Sequence, residues 1–162
     1  MKFRITYSHD RVMHGAIAGL SGGIIQSIFA YVEKMLHFTD RTFIEYGEIL
    51  ILGQHKPLEG QLLGLISHLV NTAFWGIAFS YIMKYGQKKY YVSKGIGLGL
   101  LIWLLYTSIG SLFKLPLFNV VEPNVGYFLL VDAAIYGIIM SLTYRYLDNK
   151  LLDDPGSLEG FQ

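Results

Sequence analysis

The sequence predicts an all-α polytopic membrane protein with four transmembrane helices and a short interfacial helix after the first. Three observations predict it. Residues 12–35, 62–83, 96–113 and 127–144 form stretches apolar and long enough to cross a hydrocarbon core of ~30 Å, a task for about 20 helical residues. Hydrophobic residues make up 52% of the chain and charged residues 15%, a balance shifted well away from that of soluble domains. Positive charge is sorted by loop. If both ends and the connection near residues 84–94 share one side, that side holds Lys2, Arg4, Arg11, Lys84, Lys88, Lys89, Lys94, Arg145 and Lys150. Only Lys34, Arg41, Lys56 and Lys114 remain for the other. This bias predicts a multi-pass plasma-membrane protein with its N- and C-termini in the cytoplasm.

The first span begins close to Met1 behind basic residues, as a secretory signal peptide does. Its apolar run is too long for a signal core and no small-x-small site follows, so it reads as a retained helix. Gly15, Gly19 and Gly23 recur every four residues, with Ala18 and Gly22 beside them. Small residues at this spacing let another helix approach closely, either within the chain or in a second copy. A second stripe, Gly22, Gln26, Ala30, Glu33 and His37, turns from small to polar toward the outer surface.

Residues 40–52 read as the interfacial helix, capped by Thr39 or Asp40. Phe43, Ile44, Leu50 and Ile51 share one face and Arg41, Glu45 and Glu48 another, the pattern of a connector resting on the headgroups with its acidic side in water. The sharper alternative is a lid or docking element.

The second span carries Gly64, His68, Asn71 and Trp75 along one stripe. The third repeats the glycine motif at Gly95 and Gly99 and then offers Trp103, Thr107 and Gly110 or Ser111. Between the third and fourth spans, Pro116 and Pro123 cannot continue a helix, so an interfacial turn is expected there. On the fourth span Asp132 and Tyr136 share a face. The polar stretch 147–162 reads as a frayed tail, and residues 1–162 as one membrane domain.

Depth brings these polar residues together. Counting from the outer helix ends at ~1.5 Å per residue, Gln26, His68 and Asp132 all lie roughly 8–14 Å below the interface. An ionisable group at that depth must find a partner or water. Gln26, His68, Asn71 and Asp132 therefore form a candidate intramembrane polar cluster, with Glu33 and His37 at its outer mouth. One reading is a hydrogen-bonded knot that sets helix packing. The other is a site for a proton, a cation or water.

Much other chemistry is excluded. Without cysteine there are no disulfides, thiolate metal sites, iron–sulfur clusters or thiol nucleophiles. Glu33 and His37, with His68 and Asp132, supply only isolated pieces of a carboxylate–histidine metal site, so neither metal nor cofactor is expected. No nucleophile elbow, phosphate loop, dinucleotide fingerprint or zinc-protease motif is present, and no enzyme is expected. A net charge of +1 gives nucleic acid nothing to bind. His9, His14 and His55 read as peripheral, and Tyr31, Tyr81, Tyr85, Tyr90, Tyr91, Tyr127 and Tyr144 as interfacial anchors.

Gly22-Gly23-Ile24-Ile25, Leu36-His37-Phe38-Thr39, Glu59-Gly60-Gln61-Leu62-Leu63-Gly64 and Lys94-Gly95-Ile96-Gly97-Leu98-Gly99-Leu100 with Trp103 together resemble the YqhR-like membrane proteins of Gram-positive, spore-forming bacteria. The resemblance covers the chain from about Gly15 to Tyr144 and implies a small multi-pass plasma-membrane protein without an assigned activity. It transfers no catalytic residue, and Asp132 and His68 fall on none of its motifs. The expected function is that of a structural or accessory membrane protein, self-associating through its glycine faces. The alternative is an oligomeric channel or small permease for ions, protons or small solutes.

Overall fold

A computed structural model of the chain describes residues 11–56, 58–87 and 89–152. Lys2, Arg4, His9, Lys88 and the tail beyond residue 152 lie outside the described residues. Five helices follow in order: α1 (Arg11–Met35), α2 (Phe43–Leu52), α3 (Gln61–Tyr85), α4 (Tyr91–Leu112) and α5 (Pro123–Leu152). The architecture is all-α, and α1, α3, α4 and α5 are each long and apolar enough to span a bilayer. Three helix ends differ from expectation by four residues or more, and one is the start of α4, at Tyr91 rather than residue 96. Pro123 opens α5, where its missing N–H costs no helical hydrogen bond, so the fourth span starts before residue 127. That helix then runs on through Leu152, and residues 147–152 are helix rather than tail.

The long helices pack in the spatial order α3, α1, α5, α4, each against its neighbour, while α3 and α4 barely meet. Glycine makes these contacts close. A Cβ added to Gly15 would lie 2.7 Å from the Gly76 carbonyl oxygen, and Gly19 and Gly23 press on the backbone and side chain of Thr72. At the other pair, Gly95 and Gly99 of α4 sit against Gly137 and Ala133 of α5. In lipid, apolar side chains gain little by meeting one another, so close backbone packing of this kind carries much of the association between helices. Both glycine faces are thereby covered within one chain, and neither is open to a second copy. The matching partners Gly76 and Gly137 lie outside the stripes read from sequence.

Two aromatic-rich cores result. One, toward the end holding the α3–α4 connection, gathers Phe79, Met83, Tyr136, Met140 and Tyr144 with Leu98 and Ile102. Tyr144 is therefore no interfacial anchor: it is buried, edge-on to Phe79 at 5.7 Å, and accepts a hydrogen bond from Arg11. Tyr31, Tyr81, Tyr85, Tyr90 and Tyr127 are exposed. Outward faces such as Ile17, Ile24, Ile25 and Ile28 on α1 and Leu101, Leu104 and Leu105 on α4 are apolar and exposed, as a lipid-facing surface requires.

The short helix α2 is the main departure from the expected arrangement. Its N-cap is Thr42, not Thr39 or Asp40: the hydroxyl accepts from the Ile44 N–H at 3.2 Å while Glu45 reaches back to the Thr42 N–H at 2.7 Å. Gly53, at φ 68°, closes its other end. Instead of lying with its acidic face in water, α2 leans on the start of α3, where Gly47 and Gly64 permit close approach. Phe43, Tyr46 and Ile49 enter the second core with Phe118, Val125, Leu129 and Ala133. Glu45 and Glu48 are buried on another side, whereas Leu50 and Ile51 are exposed. Pairing makes this burial tolerable. Glu45 meets Lys34 and the Thr42 hydroxyl. Glu48 meets the Lys56 N–H and, at 3.1 Å, His55 Nδ1. The outer connection after α4 closes over this helix. Phe118 is buried against Gly110 and edge-on to Tyr46, and Arg41 donates to the carbonyls of Leu117 and Val120.

Candidate intramembrane polar site

Where α3 and α4 diverge, side chains bridge the gap. The Tyr106 hydroxyl on α4 accepts hydrogen bonds from Asn71 Nδ2 and, at 2.9 Å, from Trp75 Nε1, both on α3. One turn of α3 separates those donors, so a single oxygen reads both. Nearby, the Tyr136 hydroxyl on α5 donates to the Thr72 carbonyl at 2.8 Å, a buried link between helices that otherwise scarcely touch. Thr72 turns its own hydroxyl back to the Leu69 carbonyl.

These residues enclose a small cavity. Gln26, Phe43, His68, Asn71, Thr72, Trp75, Ile102, Tyr106, Ala133 and Tyr136 line it, and about 20 Å³ within it is open to the centres of water molecules. Phe43 of α2 lies along it, its ring near-parallel to His68 at a centroid distance of 6.3 Å. His68 also turns to the Gly23 backbone. Three of the four members of the expected cluster, Gln26, His68 and Asn71, thus meet on one wall.

Asp132 is close but separate. Its neighbour Ala133 lines the cavity; Asp132 itself is 1% exposed, and its Oδ1 has no hydrogen-bond partner among the described residues. Glu33 is its electrostatic neighbour. Rather than standing at an outer mouth, Glu33 is buried, and its Oε2 is likewise unpartnered. His37 goes the other way. The α1 helix ends at Met35 and His37 takes a φ of 60°, so the helical spacing that would align it with Glu33 no longer applies. It faces an open outer hollow beside Lys34, Asp40 and Glu122. Among the described residues, no three His, Asp or Glu side chains converge to hold a metal ion.

Sequence reading did not place Tyr106, Thr72 or Phe43 in the cluster. A hydroxyl in the middle of an apolar span was the one available signal for Tyr106. Phe43 stood out only as part of the apolar face of the short helix, and its place at the cavity depends on α2 folding back against α3.

Residues 9–152 match the model of a family described as a family of unknown function, DUF6789. The chain belongs to that family. No curated protein matches it, and no solved structure does. For this member of the family, then, the site itself has to carry the functional argument.

Proposed function

We propose that this protein is a structural or accessory component of the plasma membrane, with both termini in the cytoplasm. The observation that carries the reading is the use of its intramembrane polar groups. Tyr106 is held by Asn71 and Trp75, and Tyr136 by Thr72, across helix boundaries and around a cavity of about 20 Å³. Such groups fasten helices to one another in a solvent that offers no competing hydrogen bonds. The distribution of Lys and Arg supports the orientation, since an even number of spans brings both ends to the more positive side. Kinship with the YqhR-like proteins is part of the same proposal. Self-association is not, because the glycine faces that suggested it are covered within the chain.

A second reading has its own observation. Glu33 and Asp132 are buried carboxyl groups with unpartnered oxygens, and ionisable groups at membrane depth commonly mark proton or ion pathways. Proteoliposomes separate the two. The structural reading expects proton, sodium and potassium fluxes equal to those of empty liposomes. A flux carried by the wild type and abolished by Asp132→Asn replaces it with the channel or permease reading.

A further inference from the structure

Side chains bridge α3 and α4, and a buried amide stands on the wall of the cavity between them. Gln26 is 4% exposed and lines the cavity, so its amide is buried beside that space. A primary amide brings two N–H donors and a carbonyl acceptor, which in a buried place call for hydrogen-bond partners. The other polar walls keep unused capacity. The Tyr106 oxygen already accepts from Asn71 and Trp75, so its own proton is free to donate. His68 has two ring nitrogens, and the Gly23 backbone can engage only one of them.

We propose that this cavity is a binding site for a single water molecule, which joins Gln26 of α1 to His68 of α3 and Tyr106 of α4. Size and chemistry both select water. A cavity needs roughly 10–15 Å³ of space for a water centre, and about 20 Å³ is present. The wall offers donors and acceptors together, which suits an amphoteric molecule. No carboxylate lines the cavity, so a cation finds no counter-charge on its surface. Bound there, water adds to the Tyr106 hydrogen bonds a further link among α1, α3 and α4, beside the Phe43 ring. The site is independent of the structural or channel assignment.

Radiolytic hydroxyl labelling of the full chain in nanodiscs tests this, because hydroxyl radicals arise from water and modify side chains beside it. Matched pairs provide the comparison: Phe43 and Tyr136 line the cavity, whereas Phe79 and Tyr144 are buried and do not line it. The expected result is labelling of Phe43 and Tyr136 at least fivefold faster than Phe79 and Tyr144 respectively. Equal rates within both pairs overturn the proposal. In Gln26→Leu, which removes the amide at similar volume, the two cavity residues are expected to slow to the rates of their partners. Unchanged labelling in a folded Gln26→Leu protein also overturns it. The wild-type pairs decide the question should that variant not fold.

Discussion

Gly15 on α1 faces Gly76 on α3 so closely that a Cβ at Gly15 would lie 2.7 Å from the Gly76 carbonyl oxygen. The obstacle is backbone, which cannot turn aside as a flexible side chain can. Gly15→Val should therefore separate the helices and lower stability by about 1–3 kcal/mol, the usual cost of overpacking. Gly97 is the control: nothing lies within 4 Å of its added Cβ. Gly97→Ala should be neutral or stabilising by up to about 1 kcal/mol through helix propensity. Thermal unfolding of both variants in one detergent measures the contrast.

Tyr106→Phe removes the shared acceptor of Asn71 and Trp75. Two donors lose their partner, and a loss of about 1–3 kcal/mol is expected. The effect should be markedly non-additive with Asn71→Leu, since the second substitution deletes one stranded donor. In a Trp103→Phe background, Trp75 is the remaining tryptophan of two, and its fluorescence emission should change when Tyr106 loses its hydroxyl.

Glu48 anchors the turn after α2 through the Lys56 N–H and His55. Replacing it by alanine leaves a backbone donor without its acceptor and should cost about 1–3 kcal/mol. Limited proteolysis within residues 53–60 should accelerate in Glu48→Ala. Glu48→Gln retains an oxygen for the Lys56 N–H and should resemble the wild type more closely.

Tyr46 is 3% exposed with an unpartnered hydroxyl, and burial, aided by nearby Tyr106, pushes its ionisation up to about 12. Its folded value lies above the ordinary one of about 10. The neutral phenol is thus favoured by the fold, and its contribution is present below pH ~10 and lost as pH rises toward about 12. Tyr46→Phe should lack that component of alkaline destabilisation. At neutral pH it should be as stable as the wild type or more so, because it removes an unpaired buried hydroxyl. Denaturation curves from pH 8 to 12 for the two proteins provide the comparison.

With no native cysteine in the chain, single-cysteine labelling is clean. Gln87 lies between α3 and α4 and Glu59 between α2 and α3, and both are exposed. In intact cells, Glu59→Cys should react with a membrane-impermeant maleimide and Gln87→Cys only after permeabilisation. The reverse pattern would invert the proposed orientation.

Much of this arrangement was legible in the chain. Four apolar runs of about 20 residues separated by polar loops predict four spans, because a helix satisfies all its backbone hydrogen bonds within one such segment. The four-residue rhythm of Gly15, Gly19 and Gly23 marks a packing face with equal clarity. It cannot say which helix fills that face. Depth counting placed Gln26, His68 and Asp132 at one level, yet level is not direction. Three residues of the proposed cluster line a cavity, whereas Asp132 turns beside Glu33 instead. The short helix was the hardest to read, since Glu45 and Glu48 look solvated until Lys34, His55 and the Lys56 backbone are brought to them.

By itself, then, the sequence determined what local periodicity and transfer energy control: the spans, the small-residue faces, and the short helix after the first span. Tertiary structure alone decided which glycine meets which backbone, that α2 folds inward, and that Tyr106 gathers Asn71 and Trp75. Those outcomes rest on contacts between residues distant in the chain, where the orientation of one helix about its axis chooses a side chain's partner. No local pattern encodes that angle.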